Sequence, residues 1–226
     1  MIKVENIDVW GWEHAIRGMR NPMNSWSKSD SYMCDENHCC VCPCCTEERD
    51  CSRPNGYVVG NNDLELMRKL YKAGTEHRKF MRQIMVSMDV IAPLYWWKEF
   101  DQYKIGVVTN SCSTMHKVHS EIFTLGNFSC EHLNLDCKIT LGMIISDLNH
   151  YRQEYLDTKN KDYWWQMIQL LPSSYNQRRT LTLNYEVAAT MIKQRIGHKL
   201  DEWNNFVKIL KELPYMAEII NQEGEK

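Results

Sequence analysis

Between Tyr185 and Leu210 apolar residues recur at helical spacing, and a guanidinium stands among them. Val187, Ala188, Met191, Ile192, Ile196, Leu200, Trp203, Val207 and Leu210 mark the stripe. At about 100° per residue, Arg195 falls inside the sector spanned by Val187, Ala188, Met191 and Ile192. Asn184 lies on nearly the same line, three turns earlier. A cation on the packed side of a helix is costly unless something pairs with it. The partner is either a carboxylate of the protein, with Asn184 a plain helix cap, or an anionic ligand. The preceding stretch, Leu171-Pro172 through Arg178, Arg179 and Asn184, also holds polar groups where a core would be expected. Together they point to a buried anion site.

The chain has 226 residues, enough for one large domain or two small ones. A formal net charge of -2, with no basic stripe, gives no field that would attract nucleic acid. Apolar runs such as Met143-Ile144-Ile145 are far too short to span a bilayer, so no membrane partner is expected. The N-terminal Met-Ile-Lys-Val-Glu-Asn lacks the apolar core of a signal peptide. The reading is a soluble, cytoplasmic protein. Eight Trp and eleven Tyr are many for this size; most must be core, but aromatic-rich chains often line pockets for flat ligands.

Residues 1–30 read as irregular. Asn61-Asn62-Asp63 looks like a helix start, with Leu64, Met67, Leu70 and Tyr71 as its buried stripe and Gly74 as its stop. Ile84 to Val90 reads as a strand broken by Ala92-Pro93, and Trp96, Trp97, Phe100 and Tyr103 as a short helix. Two further helices are expected, one inside Glu131 to Tyr155 and one from Tyr163 to Leu171, before the last from Tyr185 to Leu210. Helices with few strands and no internal repeat indicate an α+β fold.

The C-terminal spacing resembles that of the flavin-dependent thymidylate synthases. That family runs Leu-Pro, an Arg six residues after the Pro, an Asn twelve after it, and an Arg eleven after the Asn. Leu171-Pro172, Arg178, Asn184 and Arg195 fill those places without a gap. Ala92-Pro93 leading into a helix, and Gly74, His77 and Phe80, are similar to two further family segments, so the resemblance covers roughly residues 61–215. It implies a single domain over residues 1–226, with a mixed or antiparallel sheet packed against several helices. The implied activity is reductive methylation of dUMP to dTMP, with methylenetetrahydrofolate as carbon donor, FAD as cofactor and NADPH as reductant. A homotetramer whose active sites form between subunits is implied as well.

By that resemblance Arg195 is the catalytic cation beside the uracil carbonyls, where one preorganised donor contributes on the order of 3 kcal/mol. Arg178 grips the 5′-phosphate, since guanidinium suits phosphate oxygens. Ser113 adds a hydroxyl, and Asn184 serves both nucleotide and flavin. The family's flavin-contacting Arg-His-Arg place is occupied by Gln102-Tyr103-Lys104. Asn110 and Ser113 match the next segment after one inserted residue, Met115 stands where a phosphate-binding Arg follows, and Glu186 replaces another Arg. Lys104 keeps one positive charge but not the bidentate fork of Arg. Two other readings therefore stay open: a different pyrimidine-nucleotide-modifying enzyme, or a non-catalytic nucleotide-binding relative without the flavin site. Cys112, between two serines, reads as a reactive thiol or a small packed residue, and His116 with His119 as a metal-ligating or a satisfied pair.

Cys34, Cys39, Cys40, Cys42, Cys44, Cys45 and Cys51 crowd one segment, residues 34–51, together with His38 and Pro43. Thiolates at this density suit Zn²⁺ or an iron–sulfur cluster. A reduced insertion with spare thiols is the competing reading, and disulfides are disfavoured without a secretory context. In either case the segment is expected to be an insertion before the fold resumes at Gly60, structural rather than catalytic.

Overall fold

Along β4 (Met85–Pro93), Val86, Met88, Val90 and Ala92 are fully buried while the residues between them are only half-buried. That period of two gives the sheet one packed face and one open face. The computed structural model describes residues 2–34 and 56–220. Its main sheet has the order β1-β4-β6-β5, with β1 (Lys3–Trp10), β5 (Val107–Ser111) and β6 (Asn176–Asn184). Every pairing is antiparallel. β4 and β6 are central; Met88 faces Leu181 and Val86 faces Leu183 on the packed side. A second, two-stranded sheet pairs β2 (Tyr32–Met33) with β3 (Tyr57–Val58) in antiparallel fashion.

The packed face is covered by helices. These are α1 (Trp12–Arg20), α2 (Asn61–Ala73), α3 (Leu94–Phe100), α6 (Tyr185–Arg195), α7 (Asp201–Lys211) and α8 (Met216–Ile220). Trp12, Ala15, Ile16 and Met19 bury one stripe of α1. Trp96, Trp97, Phe100, Trp203 and Phe206 interlock at ring separations of 4.8 to 6.3 Å, mostly edge-to-face or tilted, and anchor α3 to α7. A second apolar cluster, with Phe123, Phe128, Leu141, Ile145, Leu148 and Met167, holds α4 (Leu135–Thr158) against α5 (Lys161–Leu170). The α+β class and the antiparallel sheet are as expected. No helix among the described residues is long and apolar enough to cross a membrane.

Three expectations need correction. Residues 3–20 are not irregular: they form β1 and α1. Only Val9 of β1 is fully buried, so pairing with β4 rather than an apolar stripe defines that strand. The stretch from Asn176 to Asn184 is the central strand β6, its polar residues belonging largely to the open face. The last helix is two, because Ile196 is extended and Gly197 takes φ +68 between α6 and α7. The start of α2 also differs in detail. Asp30, from the preceding loop, accepts the N–H groups of Asn62 (2.9 Å) and Asp63 (3.2 Å) at its first turn.

Asp63 then closes a buried ion pair. Its carboxylate accepts from Arg20 Nε (2.6 Å), Ser29 Oγ (2.7 Å), Ser31 Oγ (2.6 Å) and the N–H groups of Asp30 and Ser31. Burial pushes its pKa up, but the serine hydroxyls and Arg20 outweigh this and hold it below the ordinary 3.8. A depressed carboxyl contributes stability that is complete above 3.8 and lost as pH falls through the lower folded value. Because the Arg20 side chain is only 4% exposed, Asp63→Ala strands a buried cation. The expected cost is about 3–5 kcal/mol in urea unfolding, with the deficit shrinking in acid; an undiminished midpoint contradicts this account.

Candidate functional site

Arg195 ends α6 with its side chain 15% exposed, so the cation does lie on the packed side, and its partner is a carboxylate of the same chain. Nη1 donates to Glu99 Oε2 of α3 at 2.8 Å, and Nε donates to the Tyr103 hydroxyl at 2.9 Å. The guanidinium lies over the Trp203 ring at 4.6 Å and the Tyr103 ring at 5.5 Å, a geometry that suits a delocalised cation. Nη2 donates to no described residue. Glu99 Oε2 also accepts from Trp203 Nε1 at 3.0 Å and faces His198 Nε2 at 3.3 Å. The N–H of Leu200 donates to His198 Nδ1 (3.1 Å), so Nδ1 is an acceptor and the ring hydrogen belongs on Nε2.

The loop after α3 brings a second group of expected residues here. Tyr103 donates to Gln194 Oε1 (3.0 Å) while it accepts from Arg195. Gln102 and Lys104 are exposed on either side of it. Asn184 caps α6, its Oδ1 accepting from Val187 N–H at 3.0 Å. Its amide presses on Gly106, where a Cβ would stand 2.7 Å from Asn184 Nδ2 and where φ is +75. Tyr103, Asn184 and Arg195 therefore flank one loop and one helix. The flavin segment itself differs from the Arg-His-Arg pattern in what it can hold. A diphosphate calls for several cations. Tyr103 is spent on Arg195 and Gln194, and of the nearby arginines Arg82 is paired with Glu186 and Arg179 with Asp101 (2.7 Å). Among the described residues of this segment Lys104 alone is left, so they do not fit that group as the family pattern would.

Arg178 is placed elsewhere. It follows Gln177 and precedes Arg179 on β6, and successive strand residues point to opposite faces. Arg179 takes the packed side, over the Trp97 ring at 4.3 Å. Arg178 takes the open face and donates to Asp89 Oδ2 at 2.7 Å, with Glu5 at 3.8 Å. Hydrogen bonds from Thr180, Arg178 and Asn6 hold Asp89 at a pKa of about 2. Within one chain the structure thus separates Arg178 from Arg195 by the sheet. Ser113 lies on the Arg178 edge, one residue past the bond from Cys112 N–H to Arg178 O (2.9 Å), and its hydroxyl accepts from His116 N–H (2.9 Å).

Cys112 and Cys137 are exposed, and His119 is packed edge-on against Tyr155 at 4.9 Å. Burial, then Lys117, Lys159 and Arg152, lower the His119 pKa. Among the described residues no group of three or more His, Cys, Asp or Glu is placed to hold a metal. Cys39, Cys40, Cys42, Cys44, Cys45 and Cys51 lie outside the described residues, as does His38. Sequence reading missed Glu99, His198 and Trp203. Trp203 was visible as a core residue, whereas Glu99 had no spacing signal, because its partner Arg195 is 96 positions away.

By sequence the chain matches no family model and no curated protein. In structure it is similar to thymidylate synthase X (ThyX) from Helicobacter pylori, a flavin-dependent thymidylate synthase solved with FAD and dUMP. The TM-score is 0.65 at 14% identity, over 96% of this chain and 96% of that one. It is also similar to the UMP/dUMP methylase PolB from Streptomyces cacaoi bound with 5-Br dUMP, with TM-score 0.61 at 13% identity over 97% of this chain and 94% of that one. The fold is that of the flavin-dependent thymidylate synthases and their dUMP methylase relative.

Gly106→Ala tests the packing of the Tyr103 loop on Asn184. The positive φ and the 2.7 Å approach both oppose a side chain. The expected loss is about 1–3 kcal/mol in thermal unfolding, and a neutral effect would show that the loop does not close on α6.

Proposed function

We propose that this chain binds a pyrimidine nucleotide of the dUMP class and is a methyltransferase-like enzyme acting on its ring, in the manner of the flavin-dependent thymidylate synthases. One observation carries the reading: Arg195 is held rigidly by Glu99, Tyr103 and Trp203, yet keeps Nη2 unspent. A preorganised donor of this kind hydrogen-bonds a ring carbonyl without reorganising. By the resemblance FAD, methylenetetrahydrofolate and NADPH are the family's further participants, and FAD is the one that the Gln102-Tyr103-Lys104 segment does not fit in the family's manner. By the resemblance Arg178 is the phosphate ligand, although within one chain it is already paired with Asp89 and close to Glu5. It lies across the sheet from Arg195, so a second copy must bring one of the two to the other's pocket.

The surface of α4 supports such assembly. Leu135, Ile139 and Met143 repeat every four residues and are 73%, 54% and 57% exposed, on the side away from the buried Leu141, Ile145 and Leu148. In an antiparallel pair of these helices centred on Gly142 and Met143, Lys138 of each copy meets Asp147 of the other. A second reading, nucleotide binding without flavin chemistry, is favoured by Gln102-Tyr103-Lys104. Colourless protein that still binds dUMP would decide for it, whereas yellow protein would decide for the first.

Calorimetric titration with dUMP tests the reading. Arg195→Ala is expected to weaken binding by about tenfold or more with the fold retained, since hydrogen bonds from charged groups contribute about 1.5–3 kcal/mol. Unchanged affinity removes Arg195 from the site. Ile139→Asp is expected to lower the mass measured by light scattering without unfolding the chain, and an unchanged mass shows that α4 is not the joining surface.

A further inference from the structure

We infer that Glu99 is a positioning residue that makes Arg195 a donor to a neutral ring carbonyl and prevents it from acting as an anion site; this rests on the nucleotide reading above. The carboxylate does two things. Its Oε2 receives Arg195 Nη1 at 2.8 Å and Trp203 Nε1 at 3.0 Å, so the guanidinium plane is fixed at its inner edge while Tyr103 fixes Nε. Its charge also cancels that of Arg195 inside an aromatic surround of low polarisability to water, where the two charges interact more strongly than in bulk solvent. His198 Nε2, at 3.3 Å, faces the same oxygen and completes its donors.

What remains without a hydrogen bond to any described residue is Nη2, one amino group of the Glu99–Arg195 ion pair. A phosphate dianion gains less from such a pair than from an unpaired arginine, because the neighbouring carboxylate repels it. A carbonyl oxygen meets no such repulsion and takes the hydrogen bond. Specificity here comes from an unfavourable element placed against the wrong ligand as much as from the contact to the right one. Selection of the ring over the phosphate would otherwise be poor, since both ends of a nucleotide offer oxygen acceptors and an unpaired arginine prefers the phosphate.

The Glu99→Gln variant separates these effects, because the amide fills the same volume without the charge. The measured quantity is the ratio of dUMP affinity to inorganic phosphate affinity, from calorimetry on the full chain. In Glu99→Gln that ratio is expected to fall by about tenfold or more, chiefly through tighter phosphate binding, and the Glu99→Gln, Arg195→Ala double variant is expected to lose the gain. A gain of affinity is not what loss of packing produces. Should Glu99→Gln not fold, Glu99→Ala, with water replacing a carboxylate that is 32% exposed, serves the same comparison. A ratio that falls by less, or a gain that survives removal of Arg195, overturns the inference. Parent protein that binds no dUMP at all overturns the nucleotide reading instead, while tighter phosphate binding in Glu99→Gln would still show the charge cancellation.

Discussion

The antiparallel pairing of β4 with β6 governs everything that follows in this protein. It runs unbroken from Met85 opposite Asn184 to Pro93 opposite Asn176, and it fixes which β6 side chains meet the helices. Leu181, Leu183 and the aliphatic part of Arg179 go to the packed side, while Arg178, Thr180 and Thr182 go to the open one. A shift of one residue would exchange the two sets and put Arg178 into the aromatic cluster. The polar network of Asp89, Arg178, Asn6 and Thr180 on the open face therefore acts as a register mark, since it forms only in the observed pairing.

The same pairing explains how the Arg195 site is assembled. β6 leads directly into α6 through the Asn184 cap, and α6 carries Arg195 back over the packed face to the end of α3. Trp96 and Phe100 of α3 bury against Trp203 and Phe206 of α7, so Glu99, on the outer side of α3, is delivered to Arg195 by the core itself. The site is rigid because its supports are elements of the fold. Only the Tyr103 loop is irregular, and Gly106 lets it close on Asn184 at a distance no side chain would allow.

Much of this was legible in the sequence. The apolar stripes of α2, α4 and α6 follow local spacing, and the Pro172, Arg178, Asn184 and Arg195 spacing led to the correct fold. Other features were not legible, for reasons that are physical. β1 is a strand because β4 pairs with it, and its own residues alternate weakly. The strand β6 was not read as one, because half of its side chains are polar and face outward. The split between α6 and α7 rests on a single extended residue before Gly197, which leaves the apolar period nearly unbroken. The spacing placed Arg195 on the packed side, but it left the partner open, because Glu99 belongs to a helix far away in sequence. Nor did it show that Arg178 and Arg195 belong to opposite faces, since that depends on strand parity.

The central claim is that the unspent amino group of Arg195 meets the ring of a bound pyrimidine nucleotide. A crystal structure of the protein soaked with 5-bromo-dUMP tests it most directly, because the anomalous signal of the bromine marks the ring independently of the phosphate. The account predicts that signal beside Arg195, with the Glu99 pair intact and a ring carbonyl accepting from Nη2. A bromine found elsewhere, with Nη2 still facing solvent, would contradict it.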